Sequence, residues 1–146
     1  MATVLLLNGP NLKALGKREP EIYGKTTLAE IEDKVRGLVE NDGHAFRCFQ
    51  SNSEGEMVDW IHHNQGADFL LFNGAALTHT SIALRDALKF TGIPFVEIHI
   101  SNVYARESFR HHSYFSDIAQ GVIVGLGVMG YELAVRFALD FLSRRP

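Results

Sequence analysis

Short apolar runs alternate along the chain with longer amphipathic ones. The runs at 3–7, 45–50, 69–73, 94–100 and 121–125 are rich in branched or aromatic residues and flanked by glycine or polar residues, which predicts five β-strands. Between them, Leu28, Ile31, Val35, Leu38 and Val39 recur at helical spacing from Thr27, after a cap at Thr26 or Thr27, and stop before Asp42-Gly43. A second helix is predicted over 54–65, capped by Ser53 and turning Met57, Ile61 and Trp60 inward. A third opens at Thr78 or Thr80 and runs to Gly92, and a last one covers about 127–142.

Strands that are apolar along both faces and alternate with helices imply a parallel sheet covered on both sides. Five of them in 146 residues predict one α/β domain, 1–146, with a flavodoxin-like doubly wound sheet in three α/β/α layers. Such folds bind ligands outside the carboxyl ends of the strands, where strand order reverses. The residues at those ends are polar: Asn8-Gly9-Pro10-Asn11 after the first strand, Asn73 with Thr78-His79 after the third, and His99 to Asn102, then Arg106 and Arg110, after the fourth. Apolar strands have no structural need of such tips.

The connection from Asn8 to Lys25 is far longer than the 2–6 residues usual between a strand and its helix, which marks residues 9–25 as a lid over an active site. Elsewhere the composition narrows the possibilities. A net charge of -3, with acidic and basic residues interleaved, leaves no electrostatic footprint for nucleic acid or a membrane surface. No apolar segment approaches the ~18 residues needed to span a bilayer, and no basic leader precedes the first strand. Cys48, the only cysteine, reads as a small core residue in a reducing, cytoplasmic setting. The expected partner is a small molecule or another protein.

Two groups suggest acid–base chemistry. In Val96-Glu97-Ile98-His99-Ile100 the two-residue strand repeat puts Glu97 and His99 on one face. A carboxylate beside an imidazole fixes its tautomer and favours its charged form, which suits a general acid, although the same pair also serves as a plain structural hydrogen bond. In the long loop, Arg18 stands five residues before Tyr23. An unperturbed phenol near pKa ~10 is ionised to about one part in a thousand at pH 7, and a shift of about three units needs roughly 4 kcal/mol, within reach of one or two arginines. Arg18 is the first candidate, Arg106 the second. Metal binding is disfavoured: His62-His63 and His111-His112 are adjacent pairs that point apart, and one cysteine excludes sulfur-rich sites. Nucleotide binding is unsupported, because neither a dinucleotide fingerprint nor a Walker sequence is present. Asn8 and Asn73 stand where a phosphoacceptor regulator would place acids.

The motifs Asn8-Gly9-Pro10-Asn11-Leu12, Arg18-Glu19-Pro20-Glu21-Ile22-Tyr23-Gly24, Gln50-Ser51-Asn52, Thr78-His79-Thr80-Ser81, Glu97-Ile98-His99-Ile100-Ser101-Asn102 and Phe109-Arg110-His111-His112-Ser113 occur in an order that closely resembles type II 3-dehydroquinate dehydratase. The resemblance covers nearly the whole chain. It implies anti elimination of water from 3-dehydroquinate to 3-dehydroshikimate through an enolate, in the shikimate pathway, with no metal and no organic cofactor. It implies Tyr23 as base, Arg18 as the group favouring its phenolate, Asn11 as enolate stabiliser through an ordered water, and His99, oriented by Glu97, as general acid. Asn73, His79 and Arg110, with the backbone at Ile100 and Ser101, would bind the substrate. Asp86 would enter a neighbouring subunit's site, and the assembly implied is a homododecamer built from trimers.

One stretch departs from the family. Where it usually has Asn-Pro-Gly-Ala, an aromatic residue and Thr-His, this chain has Asn73-Gly74-Ala75-Ala76-Leu77-Thr78-His79, and Lys13 replaces a common asparagine. Moving glycine by one position changes which residue takes a positive φ without cost. The expected effect is on affinity or rate, and the alternative is a catalytically impaired protein that binds a cyclic carboxylate on the same scaffold.

Overall fold

The two-residue alternation of the strands divides the core between two faces of one parallel sheet. The computed structural model describes every residue except Arg18, Pro20, Ile22 and Tyr23. Its strands β1 (Thr3–Asn8), β2 (Ala45–Gln50), β3 (Phe69–Asn73), β4 (Phe95–His99) and β5 (Gly121–Val124) pair in the order β2-β1-β3-β4-β5. Val4, Leu6, Phe69, Leu71, Val96 and Ile98 face one side, where they meet α1 (Leu28–Asn41) and α4 (Met129–Ser143) through Ile31, Val35, Tyr131 and Val135. Leu5, Leu7, Leu70, Phe72 and Phe95 face the other, against Met57 and Ile61 of α2 (Glu54–His63) and Leu84 and Leu88 of α3 (Ile82–Thr91). Both faces are covered, so the flavodoxin-like doubly wound reading stands. Truncating a central residue such as Leu6 or Leu71 to alanine would cost about 2–5 kcal/mol.

Local signals set the helix starts. Thr27 forms a reciprocal capping box with Glu30, and Ser53 accepts the Glu56 amide. The start of α3 differs from expectation. Residues Ala75–His79 form a 3-10 turn, and Ser81, in extended geometry, caps the helix by accepting the Leu84 amide at 2.9 Å. Neither expected cap serves: Thr78 lies inside the 3-10 turn, where its hydroxyl has no hydrogen-bond partner among the described residues, and Thr80 ends that turn. Trp60 is half-buried and stacks on Phe49 with ring centroids 5.6 Å apart. Cys48 is likewise half-buried, on the edge strand, with Arg36 Nη2 donating to its sulfur at 3.7 Å.

The chain passes from β1 outward to the edge strand β2 and returns over β1 to β3, so Asn8 and Asn73 stand opposite one another at the reversal of strand order. The β4–β5 connection carries no α-helix. It makes three 3-10 turns, Val103–Ala105, Ser108–Arg110 and Ser116–Ile118, which fold back over the end of β4.

Candidate active site

Phe95, Glu97 and His99 share a face of β4, but only Phe95 enters the apolar core. The Glu97 carboxylate accepts from His99 Nε2 through one oxygen, and through the other from Ser113 Oγ at 3.0 Å and Ser116 Oγ at 2.7 Å. Both serines come from the folded-back connection. At 1% exposure, Glu97 is a buried carboxyl with three donors. Burial alone would push it up, but the His99 hydrogen bond and charge, with the two hydroxyls, hold it below the usual carboxylate range. It is therefore ionised at neutral pH and aligns the imidazole.

His99 opens onto a cleft of ≈ 200 Å³ at the carboxyl ends of β1, β3 and β4. Asn11, Asn73, His79, Ile100, Ser101, Arg106 and Arg110 line it, while Pro10, Leu12, Leu15 and Val103 supply apolar wall. Arg110 is held by Glu107 at 2.9 Å, and Arg106 donates to Ser101 Oγ at 3.2 Å. His79 lies nearly parallel to His99, its ring centroid 6.3 Å away. Its Nδ1 donates to the His112 carbonyl at 2.8 Å, which leaves Nε2 as the acceptor of the neutral ring. Burial, reinforced by the His99 and Arg110 charges, pushes its pKa down.

The loop after β1 is set by close backbone packing. The Gly9 amide donates to the Asn73 carbonyl at 2.8 Å, and a β-carbon on Gly9 would lie 2.5 Å from the Gly74 oxygen. Gln50 Nε2 donates to the Gly9 carbonyl at 3.0 Å, and Asn52 Oδ1 accepts the Asn11 amide at 2.9 Å. These contacts hold Asn11 at φ 71° on the rim of the cleft.

Beneath the cleft lies Tyr131 of α4, a residue the sequence reading does not single out. Its phenol donates to Asn8 Oδ1 at 2.7 Å and accepts from Asn73 Nδ2 at 2.9 Å. Burial pushes its pKa far above the ordinary tyrosine value, so it stays a neutral phenol. Ser116 is a second contributor with no signal in the sequence, because only the turn at 116–118 brings it to Glu97.

Of the residues expected in the site, Asn11, Asn73, His79, His99, Ile100, Ser101 and Arg110 line one cleft, with Glu97 behind His99. Asp86 is exposed on α3 and does not line it. Arg18 and Tyr23 lie outside the described residues. Among the described residues, no group of three or more His, Cys, Asp or Glu side chains is placed to hold a metal ion, and no helix is long and apolar enough to cross a membrane.

Comparison with known proteins agrees with this arrangement. The family model Dehydroquinase class II matches residues 2–139. A 3-dehydroquinate dehydratase of Marinobacter nauticus is 56% identical over 146 residues, covering 99% of this chain and 100% of its own. One of Haemophilus influenzae is 57% identical over 143 residues, covering 97% and 96%. The crystal structure of type II dehydroquinase from Propionibacterium acnes superposes with a TM-score of 0.90 at 42% identity, over 96% of this chain and 97% of that one. With its buried carboxylate–imidazole pair at the switch point of a doubly wound sheet and a family match over almost its full length, this chain belongs to the class II dehydroquinase family.

Proposed function

We propose that the protein is a hydro-lyase that removes water from 3-dehydroquinate to give 3-dehydroshikimate in the shikimate pathway, with residues 1–146 as one catalytic domain and 9–25 as its lid. The observation that carries this reading is the buried Glu97–His99 pair at a cleft that also holds Arg110, Arg106 and the neutral acceptor His79. The arginines suit a carboxylate, whose two oxygens match a guanidinium fork, while His79 Nε2, Asn73 and Ser101 suit hydroxyls.

In this reading the Tyr23 phenolate, favoured by Arg18, takes the proton next to the ketone, and the electron pair moves onto the carbonyl oxygen as an enolate. Asn11, on the cleft rim, supports an ordered water at that oxygen. Collapse of the enolate expels the hydroxyl, and His99 supplies the proton that makes it water. The proton left on Tyr23 returns to solvent and His99 is recharged, so the cycle is neutral overall. Ile100 and Ser101 contribute backbone groups, and Asp86 serves the site of a neighbouring subunit in a homododecamer. The unpaired Cys48 fits a cytoplasmic setting. No cofactor enters the scheme.

The test is turnover of 3-dehydroquinate by the purified protein, read as the ultraviolet absorbance of the conjugated enone and repeated after borohydride treatment. Turnover that survives borohydride supports the enolate route. A folded protein that binds the substrate without turnover would favour the impaired binding protein instead. Tyr23→Phe and His99→Ala should each lower kcat by about 10²–10⁴ with folding retained.

A further inference from the structure

We propose that Tyr131 is a positioning residue for substrate binding, anchoring the Asn73 amide by accepting one of its two N–H groups so that the other faces the cleft. The proposal rests on the 3-dehydroquinate reading above.

A side-chain amide is nearly symmetric in shape, so its orientation is set by its partners. At Asn73 two partners act together. The Ala75 amide donates to Asn73 Oδ1 at 3.0 Å, which a flipped side chain would turn into two opposed donors. That places Nδ2 on the Tyr131 oxygen at 2.9 Å. A neutral phenol has one proton, and with Asn73 already donating to it, that proton goes to Asn8 Oδ1 at 2.7 Å. The direction of the chain is thus dictated from Ala75 through Asn73 and Tyr131 to Asn8.

The same logic accounts for an otherwise odd feature. Asn8 is 0% exposed, yet its Nδ2 has no hydrogen-bond partner among the described residues. Flipping Asn8 would supply Nδ2 with the phenol oxygen but strand the phenol proton against it. Leaving a buried donor unsatisfied costs about 1–3 kcal/mol, and here the arrangement keeps the Asn73 amide oriented. One Asn73 N–H goes to Tyr131, and the second remains for the cleft that Asn73 lines. Tyr131 itself is 1% exposed and lies beneath the cleft, so it acts on a ligand only through Asn73.

The experiment is a double-mutant cycle with 3-dehydroquinate on Tyr131→Phe, Asn73→Ala and the pair, with thermal stability followed in parallel. Positioning through Asn73 predicts that Tyr131→Phe raises KM about 5–20-fold with kcat changed less than 3-fold, as expected for loss of uniform binding. In the Asn73→Ala background it should then add less than 2-fold. A purely structural Tyr131 would lower stability with KM unchanged, or with effects that multiply in the double variant, and either result overturns the proposal. If Tyr131→Phe does not fold, Asn8→Ala keeps the phenol but frees its proton; KM must rise there too, and only when Asn73 is present, or the proposal fails. Absence of turnover in the parent protein would instead overturn the substrate reading.

Discussion

Gly74 and Ala75 have exchanged the roles that their side chains suggest: alanine carries the left-handed turn at φ 51°, while glycine beside it sits at an ordinary φ of -75°. The Asn73 side chain stabilises the turn by accepting the Ala75 amide. Gly74 is glycine because of space. A β-carbon there would lie 2.8 Å from Phe115 Cε2 and 2.9 Å from Thr78 Oγ1.

Opposite effects at adjacent positions follow. Ala75→Gly should stabilise the protein by about 1 kcal/mol, since glycine meets no Cβ penalty in the left-handed region. Gly74→Ala should destabilise it by about 1–3 kcal/mol through overpacking against Phe115 and Thr78. Urea unfolding of the two variants against the parent reads both, and a stabilising Gly74→Ala would show that the contacts relax freely.

The Glu97 carboxyl has a folded pKa below its ordinary value, so in acid the unfolded chain binds the extra proton. Its contribution to stability is complete above the ordinary carboxylate pKa of about 4.3 and disappears as pH falls through the lower folded value. Stability measured against pH should fall less steeply below about pH 4.3 in Glu97→Gln than in the parent. Equal slopes would mean that Glu97 is not held ionised by its neighbours.

His79 works in the same direction in a different window. Its folded pKa is also lowered, so below about pH 6.5 the unfolded chain takes up a proton that the folded one refuses, and stability declines as pH falls through that range. His79→Gln should flatten this part of the curve. Unchanged curvature would show that the ring accepts the proton in place.

Ser113 and Ser116 should matter through Glu97. Removing either hydroxyl takes away a hydrogen bond to a buried charge, worth about 1.5–3 kcal/mol. Ser116→Ala, the shorter contact, is expected to raise the Glu97 pKa toward its ordinary value, so that stability falls less steeply with acid below about pH 4.3. An unchanged acid limb would assign the lowered pKa to His99 and Ser113.

Cys48 should be dispensable. Burial, then the Glu32 charge, pushes its thiol up, so it is largely unionised at neutral pH. Slow alkylation at pH 7.5 and full turnover by Cys48→Ser are expected. A large loss of activity would give the thiol a function that its position does not suggest.

The hydrophobic pattern determined the sheet, because strands buried on both faces and helices with one apolar stripe have few ways to close a core. It also put Glu97 and His99 on one face, since the strand period is two. Local chemistry was legible where the residue and its target lie within one turn, as with Thr27 and Ser53. It failed at Ser81, where the sequence offered Thr78 or Thr80, because which residue caps the helix depends on how the turn after β3 packs against Phe115 and Gly9. Tertiary structure alone decided the rest. Tyr131 is 58 residues from Asn73 and 123 from Asn8, and Ser116 is 19 from Glu97. Sequence carries the period of each element and the propensity of each turn, but which polar groups share a buried hydrogen bond is fixed only when separate elements pack together and water leaves.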